Sequence, residues 1–440
     1  MKNTIIIFTL AAFYFSCKTS KILGIYEIEK YNSYEISRAL ELYDTIYIPA
    51  GEYLVDQIVI RDNKVILTSG LGTKFKQRPQ SEITSVILIK GSNVIIDPLT
   101  IEGNISKDKG EWNHAIAIMA DGSNISNILI KGLSAKDIRG DGVYIGNTIK
   151  GGYPIRVTVE NVIVENCFRN GISVVSGDQI RIKNINVNKV GLYAIDIESD
   201  PIDIPLQNIV IENVVGPTIG LIGYKREVKN VEILNVIIDR KLGGSIPSYP
   251  INLKDGLIFR NVNNIYCNTV VIKNFERFAI NPVVESYDKM VDNVIIKNIT
   301  LFNNSIIPNE YNAYINLMGF KTLNVEGLDA RLQTGKSLFL GNDKPGREEQ
   351  IVKINNSKIR GGTFARYCTV IGDSLNLDNM ENVFQRVHVG SVVTNSSIKT
   401  NIFESNSGNL FLKLNNIEYR SGNADIKRDL TKQNSVKLIK

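Results

Sequence analysis

Acidic, aromatic and amide side chains recur at equivalent places in four short segments between residues 114 and 198. The segments read His114-Ala115-Ile116-Ala117-Ile118, Asp141-Gly142-Val143-Tyr144-Ile145, Asn170-Gly171-Ile172-Ser173-Val174 and Tyr193-Ala194-Ile195-Asp196-Ile197. Two-residue alternation is the period of a β-strand. It sets Ile116, Val143, Ile172 and Ile195 in one inward column and Ile118, Ile145, Val174 and Ile197 in the next, with Ala117, Tyr144, Ser173 and Asp196 pointing out. Glu198 follows Asp196 by two residues, so both carboxylates face outward about 7 Å apart along the backbone. Glycosidic cleavage needs one carboxylic acid to protonate the leaving oxygen and a second carboxylate to activate water or attack. Asp141, Asp196 and Glu198 are the expected catalytic groups, with Glu111 a weaker candidate. Asp141 and Asp196 stand two strands apart, about 10 Å between backbones, within side-chain reach of the inverting separation of about 6.5–9.5 Å. Asp196 with Glu198 could instead approach the shorter retaining spacing, so stereochemistry is open.

Around these acids, Glu111, Trp112, His114, Tyr144, Asn170, Ser173 and Tyr193 are expected to bind substrate, the rings by stacking on sugar faces and the polar groups by bonding hydroxyls. By the same alternation Ala115, Gly142, Gly171 and Ala194 face outward as a floor of minimal side chains. A second chemistry uses the same strip. Asp196, Glu198, Asp200 and Asp203 offer oxygen ligands for Ca²⁺, with His114, Tyr144 or Lys183 as base, which describes a polysaccharide lyase or epimerase acting on uronic acids. A third reading is a non-catalytic glycan-binding surface protein. The hydrolase needs no cofactor; the lyase needs Ca²⁺.

A longer pattern positions these strands: apolar, any, apolar, polar, Asn. It occurs at Val157–Asn161, Ile180–Asn184, Ile209–Asn213, Val270–Asn274, Val294–Asn298 and Leu412–Asn416. Repeats of this length mean one unit stacked on copies of itself, and strand periodicity within each unit predicts an all-β fold, a single-stranded right-handed parallel β-helix. Asn161, Asn184, Asn213, Asn235, Asn274 and Asn298 are structural in this reading, their amides stacking from coil to coil. Residues 31–43 predict an amphipathic helix with Ile36, Ala39, Leu40 and Tyr43 on one face, capping the open sheet end.

Thr45-Ile46-Tyr47-Ile48-Pro49-Ala50-Gly51-Glu52-Tyr53 follows the helix, and here the chain resembles the pectate lyase and polygalacturonase (pectin lyase-like) superfamily. Gly140-Asp141-Gly142-Val143-Tyr144-Ile145-Gly146 looks like the Gly-Asp-Asp/Gly strand of polygalacturonases. Asn170-Gly171-Ile172-Ser173-Val174-Val175-Ser176-Gly177 looks like their Gly-His-Gly-Ile-Ser-Ile-Gly-Ser strand. The resemblance implies Asp141 as an acid. The family's His position is Asn170 here and its Asn-Thr-Asp motif is absent, a departure from polygalacturonase chemistry. The chain is also similar to uncharacterised bacterial β-helix proteins whose next coil ends Ile-Asp-Ile-Glu, as at Ile195 to Glu198.

The remaining sequence bounds partners and location. The 440 residues carry 51 basic and 45 acidic side chains, net +6, well interspersed; without a basic stripe or stacking array, nucleic acid is not an expected partner. Lys2 and the apolar run Ile5 to Phe15 predict a signal peptide over 1–16. Ser16-Cys17 resembles a lipobox, implying lipidation at Cys17 and a polar tether over 17–30. Residues 31–85 are expected to hold the cap and first coils, 86–418 the β-helix, and 419–440 a polar tail. The expected product is exported, an outer-membrane or cell-surface lipoprotein, otherwise periplasmic or secreted, with an extracellular polysaccharide or oligosaccharide as partner. Cys167, Cys267 and Cys368 lie several coils apart, too far for disulfides, and are expected to be buried.

Overall fold

The computed structural model describes residues 24–400 apart from 30–31, 80–82, 106–111, 149, 200–203, 225, 245–254, 276–277, 283–290, 303–312, 319, 331–335, 342–349, 361–362, 367, 381 and 386–390, together with 413–415, 417–420 and 436–438. The recurring Asn is what coils the chain. Asn161, Asn184, Asn213, Asn235, Asn274 and Asn298 all sit in the left-handed region, at φ between 51° and 58°. Among residues with a Cβ, short polar Asn tolerates this conformation best, and one such residue turns a strand without ending its hydrogen bonding. The stretch Pro154–Cys167 contains three, Arg156, Asn161 and Asn166. On either side of Asn161, Val157, Val159, Val162 and Val164 are fully buried. Three of these amides stack as expected, Asn184 Nδ2 donating to Asn161 Oδ1 at 2.9 Å and Asn213 Nδ2 to Asn184 Oδ1 at 2.9 Å, whereas Asn274 Nδ2 donates to Asp239 Oδ1 at 2.7 Å and Asn298 Nδ2 to Asn268 Oδ1 at 3.0 Å. A second ladder runs through Asn63, Asn93 and Asn127, and a third through Asn208, Asn230, Asn264 and Asn293.

Every strand pairing among the described residues is parallel, and the strands form two sheets of 26 and 13 strands. The smaller sheet holds the four segments on which the chemistry rests. Its register is the one the alternation predicts: Ala117 pairs with Tyr144, Tyr144 with Ser173, and Ser173 with Asp196. Gly220, Ile258 and Asn281 continue that outward column. Helix Ser33–Leu42, capped by the Asn32 side chain, covers the N-terminal end with Ile36, Ala39 and Leu40 buried. Tyr43 is 38 % exposed and is not on the buried face; it stacks on Tyr26 instead, ring centroids 4.7 Å apart. No helix among the described residues is long and apolar enough to cross a membrane.

Two expectations are changed by the coordinates. The Gly/Ala column is not a cleft floor. A Cβ on Gly142 would lie 2.7 Å from Val164 Cγ2, and one on Gly171 would lie 2.6 Å from Val187 Cγ2, both core side chains. Ala115 and Ala194 are fully buried in the same core. These residues precede or open their strands, where the coil bends, so the alternation does not extend to them; small residues are required because the bend presses them onto the core. The stretch after residue 419 also contributes structure: Val436–Leu438 adds a parallel strand beside Ile417–Arg420. The cysteines Cys167, Cys267 and Cys368 are buried and outside any disulfide, and burial pushes the Cys267 thiol up to about 12, so it is unreactive.

Candidate functional site

The residues that open the four strands form a ladder of their own. The Asp141 amide donates to His114 Nδ1 at 3.0 Å, the Asn170 amide to Asp141 Oδ1 at 2.9 Å, and the Tyr193 amide to Asn170 Oδ1 at 2.9 Å. The same device returns where the Phe278 amide donates to Asp255 Oδ1 at 3.1 Å. At each bend a side chain accepts the backbone N–H of the next coil, a group that would otherwise be buried without a partner. This assigns Asp141 a structural contact that its sequence position did not reveal. Asp141 is fully buried, His114 is 1 % exposed, and Asp141 Oδ2 lies 3.3 Å from His114 Nδ1. A neutral ring with its proton on Nε2 accepts the amide; an imidazolium donates to Oδ2 instead. Burial pushes the Asp141 carboxyl up, but the hydrogen bond and charge of His114, the Arg169 charge and the Asn170 amide outweigh it and hold the group below its ordinary value. With no open side and its charge stabilised, Asp141 is poorly suited to protonate a leaving group.

Asp196 differs in its charge balance and Glu198 in its exposure. They lie on strand Ile195–Ser199, whose inward residues Ile195 and Ile197 are fully buried. Asp196 is 3 % exposed and its Oδ2 accepts from Asn170 Nδ2 at 3.2 Å. The Asn170 amide is oriented by its Oδ1 contact to the Tyr193 N–H, which turns the NH₂ group toward Asp196 and toward Ser173 Oγ at 2.9 Å. Burial pushes the Asp196 carboxyl well above the usual carboxylate range; the charges of Glu198 and then Asp141 push the same way, Arg169 opposes, and a hydrogen bond to Glu198 adds to the rise. Two interacting carboxyls cannot both ionise cheaply, and these surroundings favour the protonated form of Asp196. Glu198 is only half-buried and also bonds the hydroxyl of Tyr224.

Rings lie along the same strip as the pair. His114 stacks on Tyr144 with centroids 4.7 Å apart, and Trp112 meets the edge of His114 at 6.3 Å. On the other side Tyr193 packs against Leu192 and Ile258. Its ring lies across Gly220, where a Cβ would come within 2.8 Å of Tyr193 Cε1. Burial raises the Tyr193 phenol, and the charges of Asp196 and Glu198 add to it, so the hydroxyl stays a donor. The Arg260 guanidinium lies 4.2 Å from the centre of the Tyr224 ring. Of the expected residues, Asp196, Glu198, Asn170, Ser173, Tyr193, Tyr144, His114 and Trp112 share one face. Glu111, Asp200, Asp203 and Cys17 lie outside the described residues. Lys183 is not in the site: it sits on the larger sheet and pairs with Glu212 at 3.8 Å. No group of three or more potential metal ligands occurs among the described residues. Sequence reasoning missed Arg169, Tyr224 and Arg260, which come from turns and from a more distant coil; only the register reveals them. A hollow of about 350 Å³ beside the capping helix, lined by Tyr26, Glu35, Arg38 and Tyr43 among others, contains none of the expected residues.

No family model and no curated protein matches the sequence. Among solved structures, the chain is similar to the A-module of the Azotobacter vinelandii mannuronan C-5 epimerase AlgE6, at 13% identity and TM-score 0.45 over 83% of this chain and 94% of that one. It is similar to the catalytic domain of a GH87 alpha-1,3-glucanase in complex with nigerose, at 13% identity and TM-score 0.49 over 91% of this chain and 69% of that one. A likeness to the Streptococcus pneumoniae surface protein and adhesin PfbA has 13% identity and TM-score 0.46, over 83% and 95% of the two chains. No residue role is carried over from any of them.

Proposed function

We propose that this protein is an exported glycoside hydrolase acting on an extracellular glycan, with Asp196 as general acid and Glu198 as the partner carboxylate. One observation carries the reading: a buried carboxyl whose surroundings favour its protonated form, two residues from a half-buried carboxyl on the same rigid strand, with the Tyr193 ring beside them. Environments that separate the protonation of two carboxyls mark acid and base roles. A glycosidic oxygen entering beside the pair takes the Asp196 proton as its bond to the sugar breaks. Glu198 then meets the positive charge developing on the ring carbon. The pair is compatible with the retaining separation of about 5–5.5 Å and with the inverting one of about 6.5–9.5 Å, so Glu198 acts either as nucleophile or as the base for water. Asn170, itself bonded to Ser173, holds Asp196 in place, and Tyr224 holds Glu198.

The test is a screen of the purified protein against plant, algal and host polysaccharides with and without Ca²⁺, scoring new reducing ends and ultraviolet-absorbing unsaturation. Reducing ends without unsaturation, lost in Asp196→Asn and Glu198→Gln while the thermal melt is retained, are the expected result. Activity surviving in both variants sinks the assignment. Unsaturated products that vanish with chelator would replace it with a Ca²⁺-dependent lyase.

A further inference from the structure

The acid pair lies between exposed rings on both sides, in the register of a single strip. Trp112 belongs to the coil of Ala117, and the pairing Ala117–Tyr144–Ser173–Asp196 sets that coil three steps before Asp196. Tyr224 follows the strand of Gly220, one step beyond Asp196, and Arg260 ends the strand of Ile258, two steps beyond. Coils stack about 4.8 Å apart, so five steps span about 24 Å. Isolated exposed rings are ordinary on a protein surface. Here Trp112 is 55 % and Tyr224 42 % exposed; Tyr224 is tied to Glu198 directly, and Trp112 joins the ring group of the same strip. Trp112 meets His114, which stacks on Tyr144 and binds the Asp141 amide. Tyr224 bonds Glu198 with one end and supports Arg260 with its face.

We infer that the strip from Trp112 to Arg260 is a binding track for a glycan chain, with the Trp112–Tyr144 rings as subsites on one side of Asp196 and Glu198 and the Tyr224–Arg260 pair as a subsite on the other, so that the chain is cut internally. The inference rests on the hydrolase reading for the cut and on ring placement alone for the track. Any glycosidase holds a sugar on each side of the bond it cuts, and trimming from a chain end further needs the track blocked just beyond the acids; here side chains suited to sugar binding continue to Arg260, two coils beyond Asp196.

The experiment separates the two parts. Binding of cello-, laminari- and galacturono-oligosaccharides of increasing length to Asp196→Asn protein is measured by calorimetry. For the class that binds, affinity is expected to keep rising with length until the oligomer covers both sides. Trp112→Ala and Tyr224→Ala should each weaken the longest oligomer about three- to tenfold, as loss of a ring contact would, and leave the shortest less affected. On the matching polymer, wild-type protein should release oligomers of mixed length from the earliest time point. Affinity that saturates with the shortest oligomer, or long-oligomer binding unchanged in both ring variants, overturns the track. Release of one small product from the start overturns internal cutting. Length-dependent binding with no cleavage removes the hydrolase and retains the track, and no binding by any oligomer removes the track.

Discussion

A single added methyl group should disturb the site more than its size suggests. In Gly220→Ala the new Cβ would lie 2.8 Å from Tyr193 Cε1, 3.1 Å from Tyr193 Cδ1 and 3.3 Å from Ile222 Cδ1. Overpacking of this kind costs about 1–3 kcal/mol when neighbours cannot yield. Tyr193 is half-buried, and its ring can swing toward its open side, so the cost should fall near the lower end. The glycine has no left-handed backbone to protect, and alanine at a compatible position stabilises by about 0.4–1 kcal/mol through the unfolded chain. The single variant is therefore expected to lose about 1 kcal/mol or less, while the ring and its hydroxyl leave the neighbourhood of Asp196 and Glu198 and activity falls. Tyr193→Ala removes the atoms struck, so Gly220→Ala should become stabilising in that background. Urea denaturation of the four proteins measures the coupling, expected at about 0.5–3 kcal/mol for groups in contact. Additive effects within about 0.3 kcal/mol, or a Gly220→Ala variant with unchanged activity, would refute the claim that Gly220 exists to seat the Tyr193 ring.

The remaining predictions concern protonation and the ladders. The Asp196 carboxyl is raised from its ordinary value near 3.8, so the stability it contributes is fully present below that value and is lost as pH rises through the folded-state value. Asp196→Asn, a mimic of the protonated form, should match wild type in acid and exceed it at higher pH in denaturation curves taken across pH; a constant difference would contradict a buried proton. For Asp141 the direction is opposite: its carboxyl is lowered, so its stabilisation is present above the ordinary carboxylate value and fades as pH falls through the folded one. Asp141→Ala leaves the buried Asn170 N–H without its acceptor, at a cost of about 1–3 kcal/mol, and its activity loss should track unfolding; a fully folded, inactive variant would return Asp141 to the chemistry. At φ 56° and with two amide contacts, Asn184→Ala should cost more than Asn184→Gly by about 1–2 kcal/mol, the penalty of a Cβ in the left-handed region. Equal melting of the two would show that the amide ladder alone matters.

Local sequence was enough for much of this architecture. Hydrophobic alternation put Ile116, Val143, Ile172 and Ile195 inside and Tyr144, Ser173 and Asp196 in one outward column, because strand side chains alternate without help from distant residues. The recurring Asn marked the bends, because the left-handed region selects for it at one residue. The Asp196–Glu198 pair could be read for the same reason, being two residues apart on one strand.

Tertiary structure decided the roles at the bends. His114, Asp141 and Asn170 begin their strands at a corner, where alternation no longer says which way a side chain points, and their shared work is to receive the amide of the next coil. The same corner turned Gly142 and Gly171 onto Val164 and Val187. Tyr224 reaches Glu198 from 26 residues further along the chain, and Arg260, 62 residues beyond Glu198, packs on Tyr224, while Lys183 left the site for the opposite sheet. The solenoid and the spacing of the two acids follow from backbone period and were legible in the chain alone. Which acid is buried, which holds the proton and what surrounds the pair depend on coil-to-coil contacts, and only the stacked structure supplies those.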